Sequence, residues 1–153
     1  MSQQEWQNRL TEAIEIYHKA VKGNRKATTQ VYNLLKELNK EQPSNNEIFA
    51  YFGSVTALMA RDTPIPKDKK KFALEGLEML DQAVTKSPDN ITIRILRGNV
   101  CMRMPESVFH RTQTAVDDFE YLIDRYEKNS TILTKNSYEN IVKDITTAKK
   151  RLK

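Results

Sequence analysis

Residues 43–53 read PSNNEIFAYFG, and residues 88–98 read PDNITIRILRG. Each stretch begins with proline, has asparagine two residues later and has glycine ten residues after the proline, so one pattern recurs after 45 residues. Because the chain has only four glycines and five prolines, this recurrence indicates an internal repeat. A third stretch, at residues 127–129, keeps the asparagine and lacks the proline.

Apolar residues upstream of each of these stretches follow one spacing, with gaps of four and then three residues. That period places the side chains on one face of an α-helix. The proline or its equivalent follows five residues later, where a helix ends and a turn begins. Three helices therefore share one design, with apolar positions at Val31, Leu35 and Leu38, at Gly76, Leu80 and Ala83, and at Ala115, Phe119 and Leu122.

A second kind of helix is expected between these three. Phe49, Phe52 and Gly53 mark the first one, and Gly98 lies inside its counterpart, which starts near Ile91. Glycine within a helix costs about 1 kcal/mol relative to alanine, so its use here predicts a close approach of a neighbouring helix. The remaining prolines fall between the two helices of a pair, at Pro64, Pro66 and Pro105.

One further helix is expected at each end of the sequence. Ser2 and Glu5 have the spacing of a capping box before an amphipathic stripe that stops near Gly23. Residues 133–152 are amphipathic and have basic residues in the last turn, where these suit the helix dipole. About seven helices are predicted, at roughly 4–22, 25–41, 46–61, 67–86, 91–103, 108–128 and 133–152.

From residue 31 to residue 129 the pattern resembles the tetratricopeptide repeat family, in which large residues and glycine precede a small residue, an aromatic residue and proline. The connections inside the pairs are longer than in that family. The resemblance implies one all-α domain over residues 1–153, built as a right-handed stack of antiparallel helix pairs. The pairs would cover 1–45, 46–90 and 91–129, and residues 130–153 would form a C-terminal capping helix.

Two arginines depart from this pattern, because Arg94 and Arg97 stand where large apolar residues are expected before Gly98. A buried arginine requires a carboxylate partner. The following helix offers three candidates, and a pair formed there is expected to be structural: Asp117, Asp118 and Glu120.

The resemblance also implies a function, the binding of another protein as an adaptor or scaffold. The first helix of each pair lines the inner surface of such an array, and small and apolar side chains there suit an extended peptide or an amphipathic helix. The alternative is that the C-terminal helix fills this groove and that the long connection 61–71 carries recognition, with Ile65 as an exposed contact. The groove positions are Ala50, Ser54, Ala57, Ile95, Asn99 and Met102.

The formal net charge of +5 is concentrated in two clusters. Residues 67–71 carry +3 and residues 149–153 carry +4, which leaves −2 for the rest. Such runs are mostly solvated helix ends, and the alternative function is RNA binding through them. The clusters contain no aromatic residue on which a base could stack, so nucleic acid is not the expected partner. Their members are Lys67, Lys69, Lys70, Lys71, Lys149, Lys150 and Arg151.

Catalysis is not expected from this sequence. His18 and His110 lie apart, and the sequence has no metal-binding spacing, glycine-rich phosphate loop or nucleophile elbow, so we expect neither a cofactor nor a metal. Cys101 is the only cysteine, which excludes an internal disulfide, and its helical position predicts a buried, inert thiol.

The sequence also bears on location and assembly. Its first residues do not form a leader, and no apolar run approaches the roughly 18 residues of a membrane span, so we expect a cytoplasmic protein without membrane insertion. A homo-oligomer remains open, because an incompletely capped repeat array can stack on itself. The first helix, with Trp6 and Tyr17, is the end where such stacking is expected.

Overall fold

The computed structural model describes residues 2–153, and every regular element in this range is helical. The all-α prediction is confirmed, since none of the described residues lies in a strand. The elements are α1 (Gln3–Val21), α2 (Arg25–Glu41), α3 (Asn46–Asp62), α4 (Pro66–Lys86), α5 (Ile91–Arg103), α6 (Glu106–Phe109), α7 (Thr112–Lys128), one 3-10 turn (Ser130–Ile132) and α8 (Lys135–Arg151).

The asparagines that define the repeat are helix caps. Asn45 and Asn90 each accept a hydrogen bond at 3.0 Å from the backbone N–H three residues on, at the starts of α3 and α5. Asn24 does the same for α2, and Asn129 begins the 3-10 turn. Each such cap contributes about 1 kcal/mol to helix stability, so the repeated asparagine fixes where the repeated helix begins.

The prediction of seven helices is wrong at one place. The stretch 108–128 was expected to form one helix, but it is divided into α6 and α7. His110 between them adopts a left-handed conformation with φ 55°. The Glu106 carboxylate accepts a hydrogen bond at 2.9 Å from the backbone N–H of Thr112, the first residue of α7. This side-chain cap starts a new helix without the aid of glycine or proline.

Two compact units divide the chain between Ser87 and Pro88. In the first unit α1 packs on α2, α2 on α3, and α3 most extensively on α4. In the second unit α5 packs on α7, and α7 packs on the 3-10 turn and on α8. Helices therefore pair as the repeat predicts within each unit, while the single domain and the superhelical stack stay predictions.

The core of each unit includes the apolar positions that the repeat spacing identified upstream of each repeated stretch. These side chains have no exposed surface, and burying each large one stabilises the fold by roughly 1.5–3 kcal/mol. Cys101 is buried as well, as predicted. The buried repeat positions are Val31, Leu35, Leu38, Leu80, Ala83, Ala115, Phe119 and Leu122.

No helix in the described part of the chain has both the length and the apolar character needed to cross a membrane.

Glycine marks a close helix contact in each unit. A Cβ added to Gly53 would lie 2.9 Å from the Cβ of Met79 on α4. A Cβ added to Gly98 would lie 2.7 Å from the ring of Phe119 on α7. The prediction that these glycines admit a neighbouring helix is confirmed.

Candidate functional site

Two half-buried arginines on α5 share one carboxylate on α7. Arg94 Nη1 donates to Asp118 Oδ1 at 3.0 Å, and Arg97 donates to both Asp118 oxygens at 2.8 Å. Asp118 is fully buried, whereas Asp117 and Glu120 are exposed. The prediction of a carboxylate partner for these arginines is confirmed, and the cluster joins the two helices by charge-assisted hydrogen bonds.

The groove positions of the first unit lie inside that unit. Ala50 and Ser54 have no exposed surface, and Ala57 is 7% exposed. The Ser54 hydroxyl forms a buried hydrogen bond with the hydroxyl of Tyr17 from α1. A partner that contacted these three α3 side chains would first have to displace residues of the unit itself, including the Tyr17 ring.

The groove positions of the second unit keep part of their surface in solvent. Ile95, Asn99 and Met102 on α5 are each partly exposed. Helix α8 packs mainly on α7, and its contact with α5 includes a hydrogen bond of 2.6 Å from Arg151 Nη1 to the carbonyl oxygen of Met102. These three side chains therefore present a partly open strip of α5.

Basic side chains hold the C-terminal carbonyls of three helices. Arg61 Nη2 donates to the carbonyl oxygen of Ala20 in the last turn of α1, at 2.8 Å. Lys69 Nζ donates to the carbonyl oxygen of Ala60 near the end of α3, at 3.1 Å. Arg151 on α8 does the same for α5 through the Met102 carbonyl oxygen, and all three basic groups oppose the negative end of the helix dipole that they meet.

This capping role accounts for part of the two basic clusters. Besides Lys69 and Arg151, Lys149 is engaged, since its Nζ lies 3.4 Å from a carboxylate oxygen of Glu120. The other four cluster residues are exposed: Lys67, Lys70, Lys71 and Lys150. Part of each cluster therefore bonds to carbonyls at helix ends. The lysines of residues 67–71 belong to a different unit from residues 149–151.

The connection predicted to carry recognition, residues 61–71, is shorter than expected. Helix α3 ends at Asp62 and α4 begins at Pro66, so only Thr63–Ile65 lie outside helices. Proline is favoured at the first helical position because its fixed φ suits the helix and its missing N–H is not needed there. Ile65 is 53% exposed, as the sequence predicts.

A cleft of about 340 Å³ lies between α2 and α4, with α3 at its floor. The Tyr32 ring from α2 meets the Phe52 ring from α3 at a centroid distance of 5.5 Å and an angle of 56°. Thr56, beneath Phe52, is buried, and its hydroxyl donates to the Phe52 carbonyl at 2.7 Å. The lining residues come from three consecutive helices of the first unit: Tyr32, Phe49, Phe52, Thr56, Glu75, Glu78, Met79 and Gln82.

Helical periodicity explains why these residues face one another. Phe49, Phe52 and Thr56 follow the i, i+3, i+7 spacing of one face of α3. The α4 residues of the cleft, within 75–82, have the same kind of spacing. The close approach of Gly53 to α4 lies beside this face and brings the two rows of side chains together.

The rim of this cleft is acidic. Glu75 and Glu78 are exposed on α4, and Gln82 Nε2 donates to a Glu78 carboxylate oxygen at 3.4 Å. No lysine or arginine is among the lining residues. Between Lys71 and Lys86 the sequence has three acidic residues and no basic one. The cleft therefore combines aromatic faces with two carboxylates, in a chain that is basic as a whole.

Sequence reasoning missed this cleft. The sequence pattern identifies Phe49 and Phe52 only as markers of the repeat, and it does not identify Tyr32, Glu75 or Glu78. The available signal is the stretch 72–85 of α4, which has acidic residues and no basic one, together with aromatic residues on the two preceding helices.

No family model, curated protein or solved structure matches the chain. Within residues 2–153, no three histidine, cysteine or carboxylate side chains lie close enough together to hold a metal ion. The tetratricopeptide resemblance therefore continues to rest on the sequence pattern.

Proposed function

We propose that this chain is a noncatalytic protein-interaction module of the tetratricopeptide type, acting in the cytoplasm as an adaptor or scaffold. The observation that carries this proposal is the cleft between α2 and α4, where half-buried aromatic side chains stand open to solvent beside charged groups. Concave, largely apolar sites with a few polar groups are where proteins bind ligands and partner side chains. The pairing of helices within each unit supports the repeat architecture.

The partner surface differs in part from the one that the repeat pattern implies. Ala50 and Ser54 are buried in the first unit, so the cleft, which is formed by a different face of α3, is the better binding surface there. In the second unit, Ile95, Asn99 and Met102 offer a further contact strip on α5.

A pull-down from native cell extract, at physiological and then high salt, tests this function. Gln82→Trp places a large ring in the cleft, while Leu74→Trp alters an exposed α4 residue that does not line it. A specific protein retained at physiological salt by the unchanged chain and by Leu74→Trp, and lost with Gln82→Trp, is the expected result. Recovery of nucleic acid alone, released by salt, would contradict the proposal and favour the exposed lysines of the two clusters.

A further inference from the structure

We propose that the occupant of this cleft is a lysine or arginine side chain of the partner protein, an assignment that rests on the proposed function. The aromatic faces would hold the cation and its aliphatic stem, and the two rim glutamates would neutralise its charge.

The aromatic residues supply the first part of this site. Tyr32 and Phe52 both line the cleft, and their rings are inclined at 56° with centroids 5.5 Å apart. A cation within about 6 Å of a ring centroid is attracted by the ring quadrupole. Phe49 and Met79 add apolar surface in the same cleft, which suits the methylene stem of a long basic side chain.

The glutamates supply the charge. Glu75 and Glu78 stand three residues apart on α4, so they lie on one side of the cleft, and no basic residue lines it. An anionic side chain would be repelled by both carboxylates. A neutral apolar side chain would displace water from the carboxylates without supplying an opposite charge, and this desolvation costs free energy. A cationic side chain is attracted both by the ring faces and by the carboxylates.

The floor of the cleft argues against a carboxylate ligand as well. Thr56 is buried, and its hydroxyl already donates to the Phe52 carbonyl oxygen. The amide of Gln82 donates to Glu78. The charged groups of the lining are two carboxylates, which only accept hydrogen bonds and therefore fit an ammonium or guanidinium group with its several N–H donors.

Matched peptides test the assignment. The probe is the blocked pentapeptide Ala-Leu-Lys-Leu-Ala, and its control carries norleucine, which has a similar stem and no charge, in place of lysine. Each is titrated into the full 15N-labelled chain at low salt, and amide shifts report where it binds. We expect the lysine peptide to shift cleft amides such as Phe52 and Gln82, with at least a fivefold higher affinity than the norleucine peptide.

Two variants complete the test. Glu75→Gln with Glu78→Gln keeps the shape of the rim and removes its charge, so the preference for lysine should fall to near unity. Glu127→Gln, at an exposed glutamate of the second unit, should leave that preference unchanged. Loss of the preference in both variants would overturn the assignment.

The outcomes separate the two proposals. If both peptides shift the cleft amides equally, the cleft binds peptides but the cationic assignment is wrong. If neither peptide shifts them, the binding function of the cleft fails as well. If light scattering shows self-association that the double glutamine variant abolishes, the occupant is a basic residue of a second copy and the proposal of a separate partner is overturned.

Discussion

Gly76 lies directly against Gly53, because a Cβ added to Gly76 would stand 2.6 Å from the carbonyl oxygen of Gly53. The same Cβ would lie 2.8 Å from the backbone nitrogen of Ala57. These neighbours are main-chain atoms and cannot move aside as a flexible side chain can. The contact therefore fixes the separation of α3 and α4, and with it the side of the cleft that carries Met79.

Gly76→Ala should destabilise the protein. Alanine favours the helix by about 1 kcal/mol, but the clash with α3 backbone requires the helices to separate, which typically costs about 1–3 kcal/mol, so we expect a net loss. Urea denaturation measures the free energy of unfolding. Lys71→Ala, at an exposed position of α4, is the control and should change it by less than about 0.5 kcal/mol. A Gly76→Ala protein more stable than the original would contradict this close contact.

Asp118→Asn should be among the most damaging single changes in the second unit. It removes the one fully buried carboxylate that Arg94 and Arg97 share. Removing the carboxylate from such a buried ion pair costs about 3–5 kcal/mol, because the two arginines lose the buried anion that they share. Asp117→Asn is the matched control at the adjacent exposed position, where a change of under about 0.5 kcal/mol is expected by urea denaturation. Equal effects of the two changes would refute the structural role of the arginine cluster.

Lys69 and Lys70 are neighbours in one lysine run, but their replacement by alanine should affect the stability of the fold differently. Lys69→Ala removes the donor to the C-terminal carbonyls of α3 and should cost about 0.3–1 kcal/mol, whereas Lys70→Ala should cost almost nothing. Thermal melts of both variants at low salt provide the comparison. If nucleic acid binds this cluster, Lys70→Ala should lower the affinity at least as much as Lys69→Ala does. Stability and nucleic-acid affinity can therefore be separated.

Tyr51 should make stability fall at high pH. Burial, followed by the effects of Tyr17 and Glu47, raises the pKa of Tyr51 to about 12. An unfolded tyrosine has a pKa near 10, so the unfolded chain loses this proton first and the Tyr51 contribution declines between about pH 10 and pH 12. Below pH 10 both states are protonated and the contribution is constant.

Urea denaturation at pH 9 and pH 11.5 of the unchanged chain and of Tyr51→Phe isolates this contribution. The unchanged chain should lose about 1–2 kcal/mol more than Tyr51→Phe over that interval, a figure reduced for the partial exposure of the ring. Parallel losses in the two proteins would show that Tyr51 ionises alike in the folded and unfolded states.

The helix pairs could be predicted from the sequence because their signals are local. Asn45 and Asn90 cap the helices that they precede, and the apolar spacing around Leu35 and Phe119 reports which face is buried. The break at His110 could not be predicted in this way. It depends on the Glu106 side chain reaching the N–H of Thr112, a contact for which the chain has neither glycine nor proline as a marker.

The binding surface was harder to predict because it depends on three helices at once. The repeat register placed Ser54 on an inner face, but whether that face is open depends on the α1 residue Tyr17, which bonds to it. The cleft likewise needs Tyr32, Phe52 and Glu78 from separate helices. Only the packing of α2, α3 and α4 shows that these side chains meet.

Site-specific photo-crosslinking shows directly whether the cleft binds a partner protein. A benzophenone amino acid is placed at Gln82, which lines the cleft, or at Leu74, which is exposed on the same helix outside it. Both proteins are irradiated in native cell extract. We expect one specific protein adduct from position 82, formed through a lysine- or arginine-containing segment, and no such adduct from position 74. The same adduct from both positions, or from position 74 alone, would contradict this expectation.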